Sequence, residues 1–266
     1  MKKITLLLLS ALVAYASETN CTNLYLNNNA PDIYNKKIAI KTQELCSDEY
    51  AVMYSAISKT PLWSAEHLRN DMFDRKAKRS DQFHEDNRIA YDDRAHLEDY
   101  VHSGYDRGHM SPSADFTNRD SNFQSFLLSN MVPQNHNNNA GVWAHIEASV
   151  RNLVKNNQEI YVVSGPLFGK NIQKINGRVF IPERLFKAVY IPGVGASAYV
   201  CNNSDGDNYK ILSIAELEAE SGINVFPELN SKQKYERIKL PEPVAFNSKN
   251  RDGDNFKTFN KLLKLF

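Results

Sequence analysis

Apolar positions along the chain follow two different periods. Over 140–156 they recur at the i, i+3 and i+4 spacing of an amphipathic helix. A second helix is predicted over 213–221, from a Ser213 cap to a Gly222 end. Clusters of β-branched and aromatic residues predict strands at 51–55, 61–65, 160–165, 184–191 and 197–200. The strand at 160–165 is expected to end at a Gly-Pro break. Because strands and helices do not alternate regularly, the pattern predicts an α+β domain.

The remaining segments lack a clear period. Residues 17–50 are rich in Asn and Lys and are interpreted as an irregular N-terminal extension. Residues 66–100 carry many charges and few aliphatic side chains, which predicts a long surface loop with helical turns. The apolar cluster at 122–130 fits a strand or a short helix. The basic end at 230–266 is interpreted as a solvated, partly disordered tail rather than a binding arm. A single domain over 51–229 is therefore expected.

The first sixteen residues have the layout of a secretory signal. Lys2 and Lys3 precede an apolar run over 4–14, and small residues at Ala14 and Ala16 flank Tyr15. Eleven apolar residues are too few to cross a bilayer, so a cleaved signal is favoured over a membrane anchor. We expect cleavage after Ala16, a secreted or periplasmic protein, and no membrane association of the mature chain.

Composition and charge limit the class of protein and the way in which it could bind a charged partner. With 42% hydrophobic and 24% charged residues, the chain is an ordinary globular protein rather than a disordered one. The 32 basic residues nearly balance 31 acidic residues, which gives a formal net charge of +1. Because this balance leaves no basic field over the whole chain, any polyanion must be held by a local patch.

Export would make disulfides available to the three cysteines. Cys21 and Cys46 lie 25 residues apart near the mature N-terminus, whereas Cys201 lies in a late, strand-like segment. We expect a Cys21–Cys46 bridge and a buried free thiol at Cys201, although the sequence leaves pairing of Cys201 with either of the others open. No C-x-x-C spacing is present, so a structural zinc site is not expected.

Two segments carry candidate chemistry, and the first is 105–112. His109 can accept a proton near neutral pH, and Asp106 and Arg107 could orient its ring or hold an anion. A motif of only four residues is weak evidence for catalysis, because a histidine is more often structural than catalytic.

The second segment is 129–151, in which four residues follow one another at i, i+4 steps: Asn139, Trp143, Glu147 and Arg151. On a helix this stripe presents an amide oxygen, a carboxylate and a guanidinium. Each has a simpler interpretation. Core packing is favoured for Trp143, Asn139 could be the N-cap, and Glu147 and Arg151 could pair on the surface. Capping and metal binding by Asn139 do not exclude each other.

The ordered motifs closely resemble one family. Asp-Arg-Gly-His at 106–109 is followed by Ser-Asn-x-x-Pro-Gln at 129–134 and Asn-x-Gly-x-Trp-x-x-x-Glu at 139–147. This order is similar to the DNA/RNA non-specific endonucleases, which are ββα-metal (His-Me finger) nucleases that include mitochondrial endonuclease G and secreted bacterial nucleases. Further matches, from about 52 to 229, lie at 61–68, 79–86, 163–166, 182–187, 218–222 and 226–227.

The resemblance implies a fold and a role for each site residue. The fold would be a central antiparallel sheet flanked by helices. His109 would be the general base that acts on water, and Asn139 would be the direct ligand of one Mg²⁺, with Mn²⁺ possible. Glu147 would hold metal-bound water. The other implied roles are phosphate clamping by Arg79 and Arg151, fixing of the site by Arg107, and orientation of the loop by Asp106.

Two positions are ambiguous. Asn137, Asn138 and Asn139 are adjacent, and the eight-residue spacing to Glu147 favours Asn139. Arg69 competes with Arg79 for the loop arginine, and Arg79 is preferred because Phe83 and Asp86 lie near it in sequence.

The resemblance implies a secreted, Mg²⁺-dependent endonuclease that cuts DNA and RNA, double- or single-stranded, and leaves 5′-phosphates. A homodimer is possible. The alternatives are a nucleic-acid-binding protein without catalysis and a phosphodiesterase acting on small molecules, which would need a closed pocket rather than an open charged groove.

Overall fold

The computed structural model describes residues 21–73 and 78–243, so the expected signal segment and the end of the basic tail lie outside the described residues. A seven-stranded sheet, antiparallel throughout, is the centre of the fold, in the order β12-β11-β10-β7-β4-β3-β2. The described strands are β1 (Asp32–Ile33), β2 (Thr42–Cys46), β3 (Ala51–Ser55), β4 (Thr60–Arg69), β5 (Asp106–His109), β6 (Met131–Gln134), β7 (Glu159–Leu167), β8 (Gln173–Ile175), β9 (Val179–Ile181), β10 (Arg184–Ile191), β11 (Gly195–Asn202), β12 (Tyr209–Leu212) and β13 (Ile223–Asn224). The described helices are α1 (Arg119–Gln124), α2 (His136–Asn138), α3 (Ala144–Asn157), α4 (Ile214–Ser221) and α5 (Ser231–Tyr235). The predicted α+β class and central antiparallel sheet are confirmed.

Both faces of the central sheet are covered, because successive side chains of a strand point to opposite sides. On β10, Phe186 and Ala188 join a core with α4 and the N-terminal segment. Leu185 and Val189 point the other way, into a core with α3. The second face therefore supports the elements that carry the candidate chemistry.

A small ββα unit lies on that second face. Strands β5 and β6 pair antiparallel, with His109 opposite Met131. Helix α3 buries Ile146, Val150 and Leu153 in the core beneath it. This unit brings the first motif segment, on β5, next to the second, on β6 and α3.

The predicted helices are confirmed with one local difference. Helix α4 has a Ser213–Glu216 capping box and ends at Gly222 in the left-handed conformation (φ 71°). Helix α3 is preceded by a π-helical turn, Asn139–Trp143, within which Gly141 has non-helical angles (φ −105°, ψ −114°). The i, i+4 stripe through Asn139 is therefore bent at its start.

The predicted loop at 66–100 was wrong at its beginning. Strand β4 continues to Arg69, and both Glu66 and Leu68 are fully buried. The charged residues misled the prediction because Glu66 points to the same face of the sheet as Leu68, the face that α3 covers. Residues 78–100 lack regular strands, as expected, but Asp86 and Asp99 in this segment are buried against Arg88 and Arg178.

Strand β7 does not end at the Gly-Pro break. It runs through Gly165 and Pro166 to Leu167, paired with β10. Pairing with β4 stops at Ser164, so Pro166 lies where one edge of β7 is free and its missing N–H costs no ladder bond. At Gly165, a Cβ would come within 2.5 Å of the Leu62 carbonyl oxygen, so this close approach requires glycine.

Both terminal segments are more ordered than predicted. Residues 42–46, placed in an irregular extension, form the edge strand β2. The apolar cluster at 122–130 contains the end of α1 and a 3₁₀ turn, Leu128–Asn130. In the tail, Leu240 is buried against the second face and the Tyr199 hydroxyl donates to the Pro241 carbonyl (2.6 Å). The tail is therefore anchored at Leu240 and Pro241, whereas most of 230–239 is solvated, as predicted.

The cysteines are arranged as expected. Cys21 and Cys46 form a disulfide with Cα atoms 5.6 Å apart, and Cys201 is a buried free thiol. None of the helices in the described ranges combines the length and apolarity that a membrane crossing demands.

Candidate active site

The candidate residues from both motif segments meet in one cleft of about 440 Å³. Strand β5 forms one wall, the start of α3 forms the floor, and the loops around residues 79–83 and 112–114 close the other side. The lining residues are Arg79, Phe83, Tyr100, Tyr105, Asp106, Arg107, His109, Pro112, Ser113, Ala114, Asn139, Ala144 and Glu147.

His109 is the last residue of β5 and is 9% exposed. Its ring packs edge-on against Phe126 (centroids 4.9 Å apart) and beside Phe83 (5.7 Å). Burial, reinforced by the positive charge of Arg79, lowers the pKa of His109 from 6.5 to about 3. The Nε2 atom has no hydrogen-bond partner among the described residues. The imidazole is thus neutral at pH 7 and able to accept a proton.

Asn139 is oriented by a carboxylate. Its Nδ2 donates to Asp106 Oδ2 (2.9 Å), which also faces His136 Nδ1 (3.0 Å). Because an ionised carboxylate only accepts hydrogen bonds, the amide nitrogen of Asn139 must face Asp106. The Asn139 Oδ1 is left without a hydrogen bond within the described residues. The N-cap alternative falls to Asn135, whose side chain accepts from the Asn138 amide (3.0 Å).

The side chains of the two neighbouring asparagines form hydrogen bonds away from the cleft. Asn138 is fully buried and donates to the Asn202 carbonyl (2.8 Å). Asn137 is exposed and donates to Asp205 Oδ1 (3.0 Å). Of the three adjacent asparagines, only Asn139 lines the cleft.

Glu147 is half-buried at the floor of the cleft. Burial raises the pKa of Glu147 to about 7, and the negative charge of Asp115 adds to the rise. The positive charges of Lys187 and Arg151 oppose it. The alternative of a surface pair between Glu147 and Arg151 is wrong: no ion pair with Glu147 occurs within the described ranges. Burial of the carboxyl inside a set of cations is typical of functional sites.

The oxygen set at the cleft floor suits a hard cation. The Asn139 Oδ1 is free, and the Glu147 carboxyl has no ion-pair partner in the described part of the chain. An amide oxygen and a carboxylate are ligands that Mg²⁺ accepts while it keeps several waters. These two residues therefore fit the divalent metal that the family resemblance implies.

Two arginines point their guanidinium groups at the cleft. Arg79 donates to Ser113 Oγ (2.7 Å), pairs with Asp81, and lies 5.0 Å from the centre of the Phe126 ring. Arg107 stacks on Phe83 at 4.3 Å and has no carboxylate partner among the described residues. Stacking on an aromatic face holds a guanidinium in place while leaving its N–H groups available.

Arg151 and Arg69 do not line the cleft. Arg151 Nη1 donates to the buried Asp115 (2.8 Å). Arg69 ends β4 and pairs with exposed Asp71 (3.4 Å). Of the two competing loop arginines, Arg79 is the one that reaches the site.

Sequence reasoning missed the side chains that support the site. The Asn130 carboxamide accepts from the Ser111 amide (3.0 Å) and donates to the Ser111 carbonyl (2.8 Å), which ties β6 to the residues after β5. Phe126 forms one face of the His109 pocket. Asn130 belongs to the Ser-Asn-x-x-Pro-Gln motif, so the sequence marked it as a candidate. The sequence could not show that its side chain contacts Ser111. Phe126 gave no signal beyond apolarity.

Residues 29–232 match the family model described as DNA/RNA non-specific endonuclease. The match covers well over half of the chain. The chain belongs to the DNA/RNA non-specific endonuclease family, which is a family of metal-dependent nucleases.

Individual relatives agree with this assignment. The mitochondrial nuclease EXOG of Danio rerio is 32% identical over 208 residues, which cover 69% of this chain and 61% of that protein. A nuclease of Nostoc sp. is 33% identical over 210 residues, which cover 70% of this chain and 76% of that protein. A chain in the crystal structure of the EndoG/EndoGI complex superposes with a TM-score of 0.64 at 25% identity, covering 71% of this chain and 88% of that one. The match to the Danio rerio protein thus spans less than two thirds of that relative.

Proposed function

We propose that this protein is a divalent-metal-dependent endonuclease that cleaves phosphodiester bonds of DNA and RNA, single- or double-stranded, and leaves 5′-phosphate ends. The observation that carries the proposal is that the His109 ring, the Asn139 carboxamide and the Glu147 carboxyl line one cleft. Family membership supports the reaction class. The two alternatives, a binding protein without catalysis and a phosphodiesterase for small molecules, have no observation that favours them.

His109 is the proposed general base. Its imidazole is neutral and its Nε2 has no hydrogen-bond partner among the described residues, so this atom can take a proton from a water as that water attacks phosphorus. A new bond forms between the water oxygen and phosphorus, the bond between phosphorus and the 3′ oxygen breaks, and the phosphate stays on the 5′ side. The aromatic rings of Phe83 and Phe126 fix the imidazole plane beside the cleft.

Asn139 is the proposed direct ligand of Mg²⁺, and Mn²⁺ has the same oxygen preference. When bound, such an ion neutralises charge on the phosphate and on the leaving oxygen. Asp106 holds the Asn139 amide nitrogen, so that the amide oxygen faces the cleft. Glu147 accepts hydrogen bonds from water at the cleft floor and orients it.

Arg79 and Arg107 are the proposed phosphate contacts. Negative charge increases on the phosphate during cleavage, and fixed cations stabilise that charge. Arg151 was expected to clamp the phosphate as well. Because its guanidinium is engaged by Asp115, we propose instead that Arg151 supports the cleft floor and the charge of Glu147. Contacts to phosphate carry no sequence information, which accounts for cleavage without sequence preference.

Export to the periplasm or the medium is also proposed. The N-terminal layout at 1–16 supports it, and so does the Cys21–Cys46 disulfide, because disulfides persist in oxidising compartments. A homodimer is proposed on the resemblance alone.

The decisive experiment is digestion of plasmid DNA and of RNA by the purified mature chain, residues 17–266, with Mg²⁺ or with EDTA. We expect both substrates to be degraded with Mg²⁺, no degradation with EDTA, and products that carry 5′-phosphate. His109→Ala should lose at least ~100-fold in rate, because general base catalysis contributes about 10²–10⁴-fold. Its matched control is His145→Ala, on α3 outside the cleft lining.

The outcomes separate the alternatives. Binding of DNA without cleavage in Mg²⁺ would favour the non-catalytic protein, and strong competition by mononucleotides would favour the small-molecule phosphodiesterase. A normal rate for His109→Ala would remove His109 from the reaction.

A further inference from the structure

Several motif residues that the mechanism does not use form a polar row beneath the cleft. In the central sheet, Ser64 on β4 is opposite Ser164 on β7, and Ser164 is opposite Lys187 on β10. All three side chains are buried. The row crosses three adjacent strands on the face that supports the ββα unit. The sheet therefore presents hydrogen-bonding groups, rather than only apolar ones, directly under β5.

Lys187 is the most unusual member of this row. It is 1% exposed, and among the described residues no carboxylate lies within ion-pair distance of its Nζ. The Nζ donates to Ser164 Oγ (2.6 Å) and to the Met110 carbonyl oxygen (3.2 Å), and it lies 5.2 Å from the centre of the Trp143 ring. Burying a cation costs free energy, so its contacts must compensate for lost hydration.

Two further contacts hold the residues on either side of Met110 in the chain. Trp143 Nε1 donates to the His109 carbonyl oxygen (3.3 Å). The Ser64 and Ser111 hydroxyls are 2.6 Å apart. Three consecutive residues, the last of β5 and the two that follow it, are thus each held by a side chain from another element, and the first of them is His109.

We infer that Lys187 is a positioning residue for the imidazole of His109, an inference that rests on the proposed role of His109 as the general base. The Lys187 Nζ fixes the Met110 carbonyl, and this contact sets where the β5 end presents the imidazole in the cleft. Its effect falls on the rate of the chemical step, because neither Asn139 nor the cleft arginines contact Lys187.

The test is Lys187→Met, which keeps the length of the side chain and removes the donors and the charge. The expected result is a decrease in kcat of about 10- to 100-fold, the effect of a small misplacement of a catalytic group. The KM for a defined oligonucleotide should stay within about twofold of wild type, since the contacts that bind substrate are unchanged. Because the Lys187 charge also opposes the rise of the Glu147 pKa, kcat is measured across pH. The decrease should persist at alkaline pH, where the Glu147 carboxyl is ionised in both enzymes, and a decrease that vanishes there would overturn the inference. The thermal midpoint is measured on the same samples.

The matched control is Lys59→Met. Lys59 is also buried (9% exposed) and donates to a backbone carbonyl, that of Asp92 (2.6 Å), but it lies outside the cleft. We expect its kcat to be unchanged, whatever its thermal midpoint. If a lost lysine–carbonyl bond slowed the enzyme only through stability, both variants would behave alike.

A second variant, Lys187→Gln, covers the case in which the methionine variant does not fold. Gln keeps an N–H donor for Ser164 but is too short to reach Met110 as well, so kcat should again fall. A folded Lys187 variant with wild-type kcat would overturn the inference, as would a change confined to KM or to Mg²⁺ half-saturation. Failure of the proposed function is seen separately, as a normal rate for His109→Ala.

Discussion

At the scale of single residues, one carboxylate determines what Asn139 can do. An amide side chain can present either its oxygen or its nitrogen to the cleft, and Asp106 removes this freedom because it can only accept hydrogen bonds. The Asp-Arg-Gly-His motif therefore contributes to both halves of the site. His109 is the proposed proton acceptor, and Asp106, three residues earlier, sets the orientation of the amide that we propose as the metal ligand.

This arrangement predicts the effect of Asp106→Asn. An amide at position 106 no longer requires the Asn139 nitrogen to face it, so the Asn139 oxygen loses its enforced orientation. We expect the half-saturating Mg²⁺ concentration to rise by about 10-fold or more, as is typical when a residue that orients a metal ligand is changed. The measurement is a Mg²⁺ titration of the cleavage rate.

The matched control is His136→Ala. His136 is the other group that contacts Asp106 Oδ2, but its side chain is 74% exposed. Removing it leaves the hydrogen bond between Asp106 and Asn139 intact, so the Mg²⁺ dependence should be unchanged. Equal shifts for the two variants would mean that the charge near Asp106, and not the orientation of Asn139, is what matters.

At the scale of elements, a helix with local start and end signals was predicted more accurately than a strand whose extent depends on tertiary pairing. Helix α4 has its own cap and end signals, and it was predicted almost to the residue. Strand β4 was truncated in the prediction, because the charges of Glu66 and Arg69 indicate a loop, whereas pairing with β7 extends the strand to Arg69. Gly141 and the π-helical turn were not predicted, since a 3.6-residue period does not reveal a local change of backbone.

The disulfide joins two elements at one edge of the fold. Cys21 precedes the first 3₁₀ turn, Thr22–Leu24, and Cys46 ends the edge strand β2. Leu24 and Tyr25, which follow Cys21, pack on the face of the sheet opposite to the ββα unit. The bond therefore stabilises a part of the molecule that does not form the cleft.

We predict that Cys46→Ser lowers the free energy of unfolding by about 3 kcal/mol, the value for a loop of this length. Urea denaturation measures the loss, and kcat below the transition should remain normal. The control is Cys201→Ala, which removes a thiol and leaves the Cys21–Cys46 crosslink intact. Added reductant should therefore lower its free energy of unfolding by the same amount as that of wild type. A loss of kcat in folded Cys46→Ser would contradict the separation of the two faces.

At the scale of the whole molecule, the two faces of the central sheet carry different structures, and only one of them carries the cleft. One face carries α4 and the N-terminal segment, and the other carries the ββα unit. The net charge of the whole chain is only +1, so long-range attraction to a polyanion is weak. The affinity for nucleic acid that we propose must then come from the few cations that the fold gathers at the cleft.

Binding should therefore depend on salt through particular arginines. For single-stranded DNA, each phosphate contact contributes about 0.7 to the slope of log affinity against log salt. We predict that Arg79→Ala lowers the slope by about this amount. The measurement is fluorescence anisotropy of a labelled oligonucleotide with the His109→Ala background, which prevents cleavage.

Arg69→Ala is the matched control. Arg69 and Arg79 are both exposed, and each pairs with an aspartate two residues later, but only Arg79 lines the cleft. We expect the slope of Arg69→Ala to equal that of the background. A larger effect of Arg69→Ala would assign the loop arginine to the other candidate.

The sequence alone determined the α+β class, the five inner strands of the central sheet, helices α3 and α4, and the family, because these depend on local periodicity and on motifs read in order. It favoured the Cys21–Cys46 disulfide but left the pairing of Cys201 open. The tertiary structure decided which side chains meet. It placed Arg79 in the cleft and engaged Arg151 with Asp115. It also put Lys187 beneath β5, 77 residues from Met110 in the chain. Such contacts depend on strand register and on the face to which each residue points, and both are set by the packing of distant segments.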